Sequence, residues 1–281
     1  MAKIAHNLPV DFEQWLSKNK AKRSTELFFF FYSFTWICWC LCILVPFKLY
    51  DRLDEWGYLS IGLVASLPCG LLPFWFQDKS DAKKALHKRY WFKANVWIAI
   101  FSFVGNYFWT HYFYDLLGAS YTFPAHRLND VPITLYFMTH AYFCFYHSIS
   151  NMMIRKVRNV TSKYGNTVQN VAEGLVVFTL AYLTAFGETI TIAHFPYYDF
   201  VDRQKMYSVG SLFYAIYFFV SFPMFYRMDE STRSASHYSL WRSIVDALGA
   251  SMLVTLLLDI WRISFGAIVD INKTSRLPWS Q

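Results

Sequence analysis

Seven apolar runs, each near the ~20 residues an α-helix needs to cross hydrocarbon, constrain this chain more than any other feature. They fall at about 26–45, 56–76, 94–114, 131–153, 171–195, 206–226 and 244–269. A spanning helix satisfies its own backbone N–H and C=O groups, which lipid cannot do for an open strand. The expected fold class is therefore all-α, a polytopic membrane bundle of about seven transmembrane helices. Composition agrees: of 281 residues 55% are hydrophobic, 21% aromatic and only 16% charged, which argues against a soluble globule. The expected organisation is a polar tail over 1–25 with a short surface helix near 10–18, a helical domain over 26–269 and a tail over 270–281. Pro68 and Pro73 interrupt the second run.

The net charge of +7 sits mainly in short loops, so it speaks of topology rather than of nucleic acid. The first tail and the 77–93, 154–170 and 227–243 loops carry 5, 6, 4 and 3 Lys/Arg, against 2, 1, 2 and 2 in the intervening loops and final tail. By the positive-inside rule the N-terminus is cytosolic and the C-terminus lies across the membrane. Of the two glycosylation sequons, Asn159 then falls in the cytosol and Asn272 in the lumen. Cys38, Cys40, Cys42, Cys69 and Cys144 all lie in apolar runs without a CxxC pair, so neither a disulfide framework nor a zinc site is expected.

The most informative polar residue is Glu188, an acid where lipid should be. An ionised carboxylate at that depth costs several kcal/mol, so hydrocarbon tolerates the protonated form, which can donate a proton. The competing reading is a hydrogen-bonded structural Glu between helices. Glu173, Thr184 and Thr191 share its helix face. His140, His147 and Asn151, with Tyr136 and Cys144, share one face of the fourth span, a pattern that fits either a site or interhelical hydrogen bonding. In the third span Asn95, Ser102 and Asn106 align, while His111 lies well round from them. Asp259 and Arg262, spaced i, i+3, are expected to neutralise one another. GxGxxG, GxxxxGK[ST] and HExxH are all missing, and the eight histidines are scattered. What remains is acid–base chemistry in an apolar, aromatic cavity, with no metal and no cofactor.

Four long runs carry a resemblance. KANVWIAIFSFVGNYFWTHYFYDLLGASYTFP (93–124), FPYYDFVDR (195–203), VGSLFYAIYFFVSFPMFYRMDE (209–230) and VDALGASMLVTLLLDIWR (245–262) closely resemble the cycloeucalenol cycloisomerase family of cyclopropylsterol isomerases. The resemblance extends from about residue 26 to 262. It implies a cofactor-free isomerisation in the endoplasmic reticulum membrane, opening the 9β,19-cyclopropane ring of membrane-dissolved cycloeucalenol to give obtusifoliol. It transfers no established catalytic residue. Within that expectation Glu188 is the proton donor, His140 and His147 relay or accept the proton, and Asn106 or His111 fixes the acid or the sterol 3-hydroxyl. Trp109, Tyr136, Tyr197 and Tyr198 are candidates to face the carbocation, and Asn151 joins them as a substrate-binding candidate. Two other classes stay open: a non-catalytic sterol-binding or transport protein, and an isomerase that moves a Δ8 double bond. Oligomeric state is not readable from the sequence.

Overall fold

The structure, a computed structural model, describes residues 13–192, 195–231 and 238–270. Its long helices are α1 (Lys20–Trp39), α2 (Glu55–Leu71), α3 (Tyr90–Val104), α4 (Thr110–Leu117), α5 (Ile133–Thr161), α6 (Asn166–Ile192), α7 (Ser211–Tyr226) and α8 (Leu240–Phe265). Asn19 caps α1 by accepting from the Ala21 N–H, so residues 20–25 of the expected polar tail belong to the first helix. The surface helix expected near 10–18 lies partly outside the described residues, and residues 13–16 form a turn. The final tail from 271 onward, with Asn272, lies outside them altogether. Helix α2 continues through Pro68, and Pro73 opens a separate short turn, where its missing N–H is not needed.

Among the described residues, five stretches are both long and apolar enough to cross a membrane: Lys20–Leu44, Glu55–Phe76, Asn166–Ile192, Arg203–Tyr226 and Leu240–Phe265. The expectation of seven meets this criterion in five. The other two expected spans are helical but carry buried polar side chains, among them Asn95, Ser102 and Asn106 in the third, and His147, Asn151 and Arg155 in α5. The reason lies in their position. Helix α5 packs against α1, α2, α3, α6 and α7, and α3 lies between α5 and α8, so both face protein more than lipid. Helices facing lipid must be apolar, whereas inner helices can spend their side chains on one another. The outer ones expose their large apolar residues, such as Phe34, Leu175, Leu183, Ile260 and Ile263. Where lipid replaces water, close packing takes over much of the cohesive role, and here it is largely aromatic. Trp97, Phe101, Phe143, Phe222 and Phe225 all place their rings within 6.1 Å of His147.

One end of the bundle, the basic end, is tied by a buried set of charges. Lys22 Nζ donates to the carbonyls of Tyr226 (2.6 Å) and Met228 (2.8 Å) and pairs with Glu230 (2.9 Å). Arg155 reaches Glu230 through Nε (2.6 Å) and Glu26 through Nη2 (3.0 Å), and Lys93 pairs with Asp229. Three cations meet three anions. Removing one member of such a set costs far more than the set itself contributes, because a buried charge is left unpaired.

At the far end two short ladders organise the loops. Strands β2 (Arg127–Leu128) and β3 (Val131–Pro132) form a hairpin whose two turn residues, Asn129 (φ 51°) and Asp130 (φ 59°), take the positive φ that a tight hairpin requires. Strand β1 (Ser120–Tyr121) pairs antiparallel with β4 (Tyr198–Asp199), which clasps the loop after α4 to the loop after α6.

Candidate functional site

Glu188 lies in the last turns of α6, a helix packed against α5 and α7. Its side chain borders a cavity of about 280 Å³ beneath the β1–β4 clasp. The walls come from the end of α1, the start of α5, the α3–α4 junction and α7, with Met138, Tyr142, Phe143, Thr139 and Ile61 among them. Among the described residues no Lys, Arg or His lines it. One carboxyl oxygen, Oε2, is buried without a hydrogen-bond partner. The hydroxyls of Tyr214 and Tyr146 are placed to donate to the carboxyl. Tyr121, Tyr142, Tyr198 and Tyr217 stand close enough to feel its charge. Among the described residues the acid thus has hydroxyl groups and aromatic rings around it and no cation.

Three π-helical turns, Cys40–Leu44 closing α1, Gly105–Trp109 between α3 and α4, and Met206–Gly210 leading into α7, each contribute to this one cavity wall. Such a turn accommodates one extra residue in a widened turn and is found disproportionately at functional sites. Close packing explains two of their glycines. A Cβ on Gly105 would lie 2.9 Å from the Trp109 ring, and one on Gly210 would lie 2.6 Å from Met206 Sδ and 3.3 Å from Leu117. The middle turn presents Asn106 to the cavity, its Nδ2 donating to the Ser102 carbonyl (2.9 Å) and its Oδ1 facing Thr139 Oγ1 (3.5 Å). Asn95 and Ser102, which share its face on an ideal α-helix, line a different groove.

Of the residues singled out in the sequence, Glu188, Asn106 and Tyr198 come together around this cavity. His140 and Tyr136 line the other groove, and His140 Nε2 lies 3.0 Å from Asn95 Oδ1. His147 is sealed in the aromatic core, its Nδ1 on the Phe143 carbonyl (2.8 Å) and its Nε2 on Ser221 Oγ (3.0 Å). Among the described residues, Phe143 is the one ring that stands both against it and in the cavity wall. His111 Nε2 meets the Asn129 carbonyl at 3.0 Å, in the β2–β3 turn. Trp109 points into the core, donating to Thr255 Oγ1 (2.8 Å) and meeting Tyr217 edge-on at 4.5 Å. Asn151 belongs to the basic-end cluster, donating to Glu26 Oε1 (2.7 Å). Tyr197 donates to Asp51 (3.0 Å) at the surface of the far end. On Glu188's own helix, Glu173 is paired with Arg158. Asp259 and Arg262 form the expected ion pair at 2.8 Å.

The sequence reading missed Tyr214, Tyr146, Tyr142, Tyr121 and Tyr217. With 20 tyrosines in the chain no single one stands out. The signal present was register: Tyr214 and Tyr217 share a face of α7, and α7 borders Glu188's helix. Tyr121 is delivered by the clasp, stacked on Tyr198 with centroids 4.2 Å apart and planes 4° from parallel. Where the cavity opens, its rim carries the exposed Leu41 and Val45 from the end of the first span, and Thr191 from α6. Helices α1 and α6 make almost no contact with one another.

Fold and site define a class: a multi-pass helical membrane protein with a lone acid in an apolar, tyrosine-walled cavity. Over 270 residues, 94% of this chain and 96% of the relative, the sequence is 50% identical to the Arabidopsis thaliana protein named cycloeucalenol cycloisomerase. The chain belongs to the cycloeucalenol cycloisomerase family and is an isomerase. No family model matches it, and no solved structure matches it.

Proposed function

We propose that this protein opens the 9β,19-cyclopropane ring of cycloeucalenol to give obtusifoliol, with Glu188 as the acid. The observation that carries the reading is Glu188 itself: a carboxyl with a buried, unpartnered oxygen, bordering an apolar cavity with no Lys, Arg or His in its wall among the described residues. The protonated carboxyl delivers its proton to C19 as the C9–C19 bond breaks, leaving an angular methyl group on C10 and cationic character at C9. The C9 cation faces tyrosine rings, whose π faces stabilise it. The C8 proton then leaves from the same sterol face to the carboxylate, forming the Δ8 double bond and restoring the acid. No proton is gained or lost overall. Tyr214 and Tyr146 hold the carboxyl in place and stabilise its ionised form between the two steps.

The substrate reaches the cavity sideways from the bilayer, between α1 and α6, because a sterol has no aqueous reservoir to speak of. The reading includes seven spans, with α3–α4 and α5 crossing as inner helices, the basic end in the cytosol and the endoplasmic reticulum as the membrane. The Lys/Arg distribution supports that orientation.

The test is to supply cycloeucalenol to membranes containing the chain, from a host without the activity. Obtusifoliol is expected without added nicotinamide, ATP or metal, and in D₂O one deuterium is expected in the new C19 methyl group. An unopened ring under every membrane condition tried would end the reading.

A further inference from the structure

A second cavity, about 560 Å³, lies between α2, α3 and α5. It is separate from the Glu188 cavity. Helix α5 forms a wall of both, presenting Leu135, Met138, Thr139 and Tyr142 to the first, and Ile133, Tyr136, Phe137 and His140 to the second. The second cavity is a groove open to the outside, with the exposed side chains of Leu67, Leu71, Phe103 and Leu128 along its rim.

Three features describe what would fit. The lining includes small residues from two helices, Ser66 and Gly70 on α2 and Ala99 and Ser102 on α3. Small side chains let a flat, rigid face approach the backbone closely, as they do where membrane helices meet. No Lys or Arg lines the groove among the described residues, so nothing there pairs with a phosphate headgroup. The polar groups are uncharged hydrogen-bonding ones. Ser66 is buried and its Oγ has no partner. Such a hydroxyl in an apolar groove costs free energy until a ligand meets it.

His140 adds a second contact whose polarity is set by its neighbours. Asn95 Nδ2 donates to the carbonyls of Cys69 (3.1 Å) and Trp91 (2.9 Å), which fixes Asn95 Oδ1 as the atom facing His140 Nε2 at 3.0 Å. Nε2 must then carry the proton, so in a neutral imidazole Nδ1 is the acceptor. The groove offers a ligand hydroxyl one acceptor and one group that both donates and accepts.

We propose that this groove is a second sterol-binding site, seating the flat ring system of a membrane sterol against the small residues of α2 and α3, with its 3-hydroxyl at Ser66 and His140. It does not depend on Glu188 being the catalytic acid. The occupant it excludes is ordinary boundary phospholipid.

The test is photolabelling of the full chain in membranes with a sterol carrying a ring diazirine, followed by peptide mapping. Label is expected on peptides spanning 66–71 and 96–103, retained in Glu188→Gln and cleared by excess unlabelled sterol. Gly70→Phe is expected to block that label while the cavity peptides stay labelled, since a Cβ at Gly70 meets nothing within 4 Å and the variant need not disturb the fold. Ser66→Ala is expected to weaken it about three- to tenfold, the worth of one neutral hydrogen bond. Unlabelled groove peptides would overturn the proposal. So would equal labelling by an acyl-chain diazirine phospholipid that sterol does not clear, or a sterol 3-methyl ether that labels as strongly as the alcohol.

Discussion

Glu26 and Glu188 are both glutamates in apolar helices, and they have opposite surroundings. Glu26 is buried at the basic end, where its Oε1 accepts from Asn151 (2.7 Å) and from Arg155 (3.0 Å). Its Oε2 has no hydrogen-bond partner, yet two cations stand within the same cluster to offset its charge. Glu188 has the hydroxyls of Tyr214 and Tyr146 at its carboxyl, no cation in the cavity wall among the described residues, and open space beside it. A paired acid is committed to holding helices together, whereas an acid with only neutral neighbours keeps its proton transferable.

That contrast can be broken most directly at Glu188. Glu188→Gln is expected to lower turnover of cycloeucalenol by about 10³-fold, the middle of the range for a positioned acid–base group. Protein level and sterol photolabelling of the cavity should be retained. Full activity would place the acid elsewhere. Next in size, Arg155→Met strands Glu26 and part of Glu230 and should cost about 3–5 kcal/mol of stability. A thermal melt in detergent reads this as a clear loss of Tm, while the fraction still folded turns over normally. Tyr214→Phe sharpens the comparison at the other acid: about tenfold lower turnover, the worth of one hydrogen bond to a charged group, with an unchanged melt. A melt shifted with turnover intact would make the tyrosine structural only.

The smallest expected effect is a pH dependence of the basic end. Burial alone would raise the pKa of Glu230, but Lys22 and Arg155 outweigh it and hold the carboxyl at about 2 against an ordinary value of 4.5. A depressed folded-state pKa gives stability that is present above the unfolded value and lost as pH falls through the folded one. Tm should therefore change little through this group above pH 4.5 and decline as the pH falls toward about 2. In Glu230→Gln that part of the decline should be missing.

The helices were legible in the sequence because lipid imposes one demand, apolarity over a fixed length, on every outer segment. The inner segments met it less well, and the same polar side chains that lower the hydropathy of α5 are those that fill the interior. Glu188 was legible because an acid in that setting is rare. The stripe of His140, His147 and Asn151 was harder. It shares one helix face, but spans about 16 Å along the axis, at about 1.5 Å per residue. Over that length α5 changes neighbours: His140 meets Asn95 of α3, His147 meets Ser221 of α7, and Asn151 meets Glu26 of α1. A shared face therefore did not mean a shared site. Asn106 parted from Asn95 for a different reason, since no residue pattern announces the extra residue of a π-turn. The tyrosines around Glu188 were hidden by the abundance of their own kind.

The three π-turns also make the cavity depend on counting. Deleting one residue from Gly105–Trp109 would restore an ordinary turn there, leave the flanking helix nearly in line, and move the side chains of the turn itself to new bearings. Gly105 and Asn106, which the turn lends to the wall, would then be displaced even if neither were the residue removed. Such a chain should accept many substitutions at these places more readily than a single change of length.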